Sequence, residues 1–275
     1  MVKYLKKDKN GYVKLKKCGN IECVEKYSAE SETIATEIAA LKYFGSGNRC
    51  VISDGGHTFN LPNVPKLVSC RDRFRQTDTL SSPAHDTKSG AKNKIVMEYV
   101  RGIPLVEFSD KRMSPSWWRS LLYQLILIVS FFESRKILHN DFWDANIMIT
   151  PIRGKLFGEN FIVTVLDFQY TNQYTSRGAI RSKIIYSAVP EDVKEKRRLG
   201  WSAKFHRGGD LNQILGLLSD YKYIPIPGLR EKLKKMVIKR ENADFPYAIT
   251  RTNPKTTGIA AQTTIFKLLG TKSVS

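Results

Sequence analysis

A helix with no polar side constrains this chain more than any other sequence feature. Ser114 is a good N-cap and Pro115 suits the first helical position. Trp117, Leu121, Leu125, Ile128 and Phe132 follow at helical spacing. Positions between them are apolar almost all round, so the helix is predicted to be buried. Its longest apolar run, Leu121 to Phe132, is interrupted by Gln124. That run falls short of the ~20 residues a bilayer crossing needs, so no membrane span is expected. A buried helix requires a sizeable core around it. The chain has 275 residues, 41% hydrophobic and 11% aromatic, which suffices for one large domain or two lobes and argues against disorder.

Ahead of that helix the pattern is different. The first 26 residues alternate polar and apolar around Asn10-Gly11 and Gly19-Asn20, predicting short antiparallel strands that end in Cys23-Val24-Glu25-Lys26. Ser31 to Phe44 carries Ile34, Ala35, Ile38 and Leu41 at helical spacing and closes at Gly45. Asn63 to Val68 reads as the start of a strand, Arg71 to Asn93 as a polar surface loop, and Lys94 to Val100 as another strand. Beyond the buried helix come His139 to Thr150, then a strand Phe161 to Leu166 that ends at Asp167. Asp210 caps a helix over Leu211–Leu218, and helical turns follow around Leu229–Ile238. The expected fold class is α+β. A β-rich part with one helix spans 1–100, a mainly helical part spans 101–252, and a polar tail spans 253–275.

The 45 Lys and Arg against 26 Asp and Glu give a formal charge of +19. Such a surplus attracts nucleic acid, an anionic surface, nucleotide phosphates or an acidic protein, and equally serves solubility. Cys18, Cys23, Cys50 and Cys70 show no C-x-x-C spacing and read as reduced thiols. With no apolar leader at Met1–Lys7, an intracellular protein of cytoplasm or nucleus is expected.

The chemistry sits in His139-Asn140-Asp141-Phe142-Trp143-Asp144-Ala145-Asn146, followed twenty residues later by Leu166-Asp167-Phe168. Asp141 and Asn146 belong to one tight loop, and Asp167 ends the following strand. Three oxygen-bearing side chains then converge, as a hard magnesium ion requires. A turn Asp, an Asn cap and an unrelated strand-end Asp is the bland alternative.

Together these motifs resemble the catalytic core of the protein-kinase-like superfamily. Val24-Glu25-Lys26 is similar to the strand whose lysine holds the ATP phosphates, and Glu37-Ile38-Ala39-Ala40-Leu41 to the helix whose glutamate orients that lysine. Glu32 and Glu30 are the fallback partners. Ile95 to Val100 resembles the hinge strand, placing Met97 behind adenine and offering the backbone of Glu98, Tyr99 and Val100. Gly11 and Val13 stand for the last part of the phosphate loop, although Lys6 and Asp8 occupy the places of earlier glycines. The resemblance implies a bilobal fold and the cofactors ATP and Mg2+, with Asn146 and Asp167 as metal ligands. It makes Asp141 the group that orients the acceptor hydroxyl and takes its proton. His139 would be a packed structural residue, and Asp210 either a brace of the catalytic loop or a plain helix cap.

Departures from the pattern mark a reduced, divergent member, similar to haspin-like and large-DNA-virus serine/threonine kinases; if viral, the virion is a further location. Trp143 stands where those enzymes usually carry a lysine, Asn140 where an arginine commonly precedes the catalytic Asp, and Gln169 where a glycine follows Asp-Phe. Ser187 to Glu191 faintly resembles the end of an activation segment. The expected activity is phosphoryl transfer from ATP to Ser or Thr of a protein substrate. A small-molecule kinase of the choline or aminoglycoside type is one alternative, since Leu166-Asp167-Phe168-Gln169-Tyr170 also resembles those enzymes. A pseudokinase or basic scaffold that binds nucleic acid or a partner is the other.

Overall fold

Alternation at the start of the chain does produce antiparallel strands: β1 (Tyr4–Asp8), β2 (Gly11–Cys18) and β3 (Ile21–Ser28). The computed structural model describes residues 4–8, 11–68, 93–182 and 204–237. Nearly all of the loop expected over Arg71–Asn93, the Ser187–Glu191 segment and the tail from Asn253 lie outside the described residues. The chain is mixed α+β, with several small sheets and four helices among those residues.

The largest sheet has the order β1-β2-β3-β6, where β6 is Lys94–Glu98. Val13 pairs with Lys26 and Lys26 with Ile95, while Leu15 pairs with Val24 and Val24 with Met97. Side chains alternate along a strand, so these six share one face. Helix α1 (Ser31–Gly45) packs there through Ile34, Leu41 and Phe44, with Ala35 left exposed. Asn63 to Val68 is not a strand. Pro62 and Pro65 remove two amide donors there, and only single bridges form, Asn63 to Thr164 and Leu67 to Met97.

Two hairpins escape the sequence reading, although one strand of the second is the one expected over Phe161–Leu166. β4 (Cys50–Asp54) and β5 (His57–Leu61) turn at Gly55 and Gly56, both at positive φ. Asp54 secures this hairpin by accepting the Phe157 N–H at 2.6 Å. β9 (Ile147–Leu156) and β10 (Glu159–Val165) form the second, joined by β7 (Ile103–Pro104) in the order β10-β9-β7. A two-stranded ladder pairs β8 (Ile137–Leu138) with β11 (Asn172–Gln173).

Helix α2 (Pro115–Ser134) is buried as expected, with the Ser114 hydroxyl accepting the Trp117 N–H at 3.1 Å. Gln124, which interrupts its apolar run, is fully buried and satisfied. Its amide donates to Ser120 and the Phe161 carbonyl, and its oxygen accepts the Val163 N–H at 2.7 Å. The helix thus fastens β10 with its own polar residue. Helix α3 (Gly209–Ser219) packs beside it, and α4 (Leu229–Met236) packs on α3. No helix among the described residues is long and apolar enough to cross a membrane. Cys23 and Cys50 are free thiols. Cys18 corrects the expectation of four reduced thiols: it is disulfide-bonded.

Candidate active site

Lys26 on β3 and Glu37 on α1 are brought together because both face the space between sheet and helix. The Lys26 Nζ lies 2.8 Å from Glu37 Oε2 and 2.6 Å from Asp167 Oδ1. Glu37, not Glu32 or Glu30, is therefore the partner of Lys26. Burial works against the Lys26 ammonium, but the two carboxylates outweigh it and hold its pKa above the ordinary lysine value. Burial likewise pushes the Glu37 carboxyl up, opposed by Lys26 and by an N–H from the Phe168 backbone. Glu37 thereby holds two things at once, the lysine and the backbone just past Asp167.

Asp167 follows β10 in the left-handed conformation, φ 57°, which Asp tolerates better than most residues. The Leu166 N–H donates to the Asn146 carbonyl at 2.8 Å, fixing Asp167 beside the 139–146 loop. Within that loop the Asn146 side-chain amide donates to both the Asp141 carbonyl and Asp141 Oδ2, each at 2.9 Å. The Trp143 side chain adds a further hydrogen bond to the Asp141 carboxylate. Burial and the neighbouring Asp167 push Asp141 up to about 7, against those hydrogen bonds.

Asp210 is a correction in part. It does not cap α3, whose cap is Gly208 at φ 79° with no side-chain bond. Its buried carboxylate instead accepts the His139 N–H at 2.8 Å and the Asn140 N–H at 3.0 Å. One turn along the same helix, Gln213 accepts the Phe142 N–H at 3.1 Å. Three loop amides, those of His139, Asn140 and Phe142, are thus satisfied from one helix face. Burial pushes Asp210 up to about 7 despite those bonds.

His139 is a core residue, as expected. Its Nε2 donates to the Leu166 carbonyl at 3.0 Å, since a carbonyl can only accept. Burial drags its pKa down to about 4, so the ring is neutral. It packs edge-on against Phe142 and Phe168, and Phe168 in turn meets Phe44 at 5.3 Å. Phe44 also meets Phe132, and Phe132 meets Phe142. One aromatic cluster therefore joins α1, α2, the loop and the segment after Asp167.

A cleft of about 650 Å³ opens over this site. Lys26, Glu37, Asn146 and Asp167 line it, together with Gly11, Val13, Met97, Glu98, Tyr99 and Val100. Two of the expected hinge donors are already used: Glu98 N–H bonds the Lys66 carbonyl and Tyr99 N–H the Glu22 carbonyl. Of the three, the Val100 amide alone has no described partner. Gly11 serves hairpin packing, because a Cβ there would strike the Tyr27 carbonyl. Tyr170 was not foreseen in this cleft. Burial, with Asp141, Asp167 and Glu30 nearby, pushes its hydroxyl up to about 12.

Among the described residues no group of three or more His, Cys, Asp or Glu is placed to hold a metal ion. The candidate ligands are one carboxylate, Asp167, and the oxygen of Asn146, whose amide nitrogen is spent on Asp141. No family model matches the sequence, and no characterised protein matches it either.

Proposed function

We propose that this chain is an ATP- and magnesium-dependent kinase of bilobal, protein-kinase-like architecture that phosphorylates Ser or Thr of a protein. The observation that carries the reading is the convergence of Lys26, Glu37 and Asp167, from three separate elements, on the floor of one cleft beside Asp141 and Asn146. Phosphoryl transfer needs little covalent help from a protein; it needs positioning and charge. The donor set suits both cofactors. Asn146 and Asp167 offer the hard oxygens that magnesium prefers, and Lys26 offers a fixed ammonium for phosphate oxygens. Val24 and Met97 supply apolar walls and the Val100 amide a donor for a purine edge. When bound, ATP supplies the transferable phosphoryl group and magnesium neutralises its developing charge.

In this reading Asp141 orients the acceptor hydroxyl and accepts its proton, and its pKa near 7 suits a group that must both take and release one. Asp210 and Gln213 hold the loop that carries it. Trp143 contributes a neutral hydrogen bond where a lysine would contribute charge, so among the described residues Lys26 is the cation that pairs with Glu37 and Asp167, although Lys6 also lines the cleft.

Magnesium-dependent transfer of labelled phosphoryl from ATP to a protein panel, run beside choline and aminoglycosides, tests the reading. Label on protein Ser or Thr, lost in Asp141→Asn, is the expected result. Label on a small molecule alone would establish the small-molecule kinase instead. Nucleotide binding without any transfer would establish a pseudokinase.

A further inference from the structure

A second concavity, about 470 Å³, lies between the 109–113 loop and the 221–231 segment. Part of its lining is apolar: Met113, Ile224, Pro225, Ile226 and Pro227. Its cations are held in an uncommon way. Arg112 sits over the Tyr223 ring at 4.8 Å and Lys222 over the same ring at 5.3 Å, while Arg230 donates to the Tyr221 and Lys222 carbonyls; Lys111, beside the groove, sits over Phe108 at 4.7 Å. Rings orient these cations without neutralising them. Among the described residues no ion pair reaches Lys111, Arg112 or Lys222, and Glu231 is the one acid lining the groove. On β2, by contrast, Lys14 and Lys16 are paired with Glu25 at 2.8 and 3.6 Å.

We propose that this groove docks an acidic, extended segment of a polypeptide. Carboxylates would meet Arg112 and Lys222, and alternate apolar side chains would meet the apolar lining. A peptide fits better than single-stranded nucleic acid. Base stacking needs an open aromatic face, and Arg112 and Lys222 are both placed over the Tyr223 ring. The groove also has a direct connection to the loop carrying Asp141. Tyr221, which precedes Lys222, points inward and donates from its hydroxyl to Asp144 Oδ2 at 2.9 Å. That the docked polypeptide is also the phosphoryl acceptor rests on the kinase reading; the binding itself does not.

The test is fluorescence anisotropy on the full chain, without nucleotide, using a labelled peptide that alternates glutamate and leucine. Arg112→Glu with Lys222→Glu should weaken binding at least about tenfold, and Arg112→Gln with Lys222→Gln should weaken it less. Arg153→Glu with Lys155→Glu, the same change in net charge on exposed positions of β9, should leave it unchanged. Arg112 and Lys222 are exposed, so thermal melts should be unaltered. With a serine added to the peptide, the Arg112→Glu, Lys222→Glu protein should show a raised KM and an unchanged kcat. Peptide binding lost in the groove variant without any transfer in the wild type would support the docking site and reject the kinase reading. Equal loss in both charge-reversed proteins, or no loss in either, overturns the proposal. So does tighter binding of a single-stranded oligonucleotide of equal charge that depends on the same two residues.

Discussion

The side-chain amide of Asn140 donates to the backbone carbonyl of Tyr170 at 2.9 Å, tying the loop that carries Asp141 to the segment that follows Asp167. The bond involves no ionic group. Around it the segment is held by β11 pairing with β8, by Tyr174 N–H to the Lys136 carbonyl at 2.8 Å, and by Gln173 N–H to the Ile180 carbonyl at 2.9 Å. Where an arginine would wait for a phosphate, Asn140 already has its partner. Full activity is therefore expected without phosphate on Thr171, Thr175, Ser176 or Ser182. Thr171 and Ser182 are fully buried and out of a kinase's reach; Ser187 lies outside the described residues. Rates before and after phosphatase treatment check this, and a large loss restored by rephosphorylation would refute it.

Asp141→Asn should reduce transfer by about 10²–10⁴-fold with nucleotide affinity nearly intact, because Asp141 is hydrogen-bonded to Asn146 and Trp143 and not to Lys26. Asp167→Asn should reduce transfer and weaken magnesium-dependent ATP binding together, since it removes both a proposed metal ligand and the contact to Lys26. Isothermal titration beside turnover separates the two variants. Near-normal turnover in both would end the kinase reading.

Lys26→Met should abolish transfer and also destabilise the protein. Glu37 is only 1% exposed, and stranding its carboxylate without the ammonium costs about 3–5 kcal/mol. The loss should depend on pH. With its pKa raised, the stranded carboxyl is protonated in the folded state at low pH, so the variant weakens as pH rises from the ordinary carboxylate range through the raised value. Adding Glu37→Gln should return much of the stability while activity stays absent. Urea midpoints of the four proteins of this cycle at two pH values measure it.

His139 predicts acid sensitivity of the opposite sign. Its folded pKa near 4 lies below the ordinary 6.5, so the unfolded chain binds the extra proton between those values. Stability from this group is present above 6.5 and lost as pH falls toward 4, by up to about 3 kcal/mol. Asp210 and Asp141, raised to about 7, act the other way, so the total curve conceals the effect. The difference in stability between wild type and His139→Leu should shrink by that amount from pH 7 to 4. A pH-independent difference would contradict it.

Much of this site is legible in the sequence because its chemistry lies in residue types at fixed spacing. Asp141, Asn146 and Asp167 are found that way, and Lys26 and Glu37 by their order ahead of them. The supporting contacts are less visible. Gln213 shares a helix face with Asp210, and two polar residues three apart in an apolar helix were a usable signal. The Trp143 bond to Asp141 and the Glu37 bond to the Phe168 amide leave no such trace, because each depends on backbone placement across distant elements. The β4–β5 hairpin was missed for a different reason: its exposed Val51 and exposed His57 blur the alternation that marks a strand. Prolines explain the opposite error at Asn63–Val68, where an apolar run reads as a strand that the backbone cannot pair.

Helix α1 is pinned twice, by Glu37 on Lys26 and by Phe44 within the aromatic cluster that holds His139 and Phe168. Swinging the helix outward would empty a phenyl-sized hole and strand a carboxylate in one movement. Emptying the Phe44 site alone is worth about 3–5 kcal/mol, so fewer than about one molecule in a hundred would hold the open arrangement at rest. Cleft ligands that require the helix displaced would bind this protein more than about a hundredfold below their intrinsic affinity, whereas ligands that accept the helix as it stands meet no such handicap.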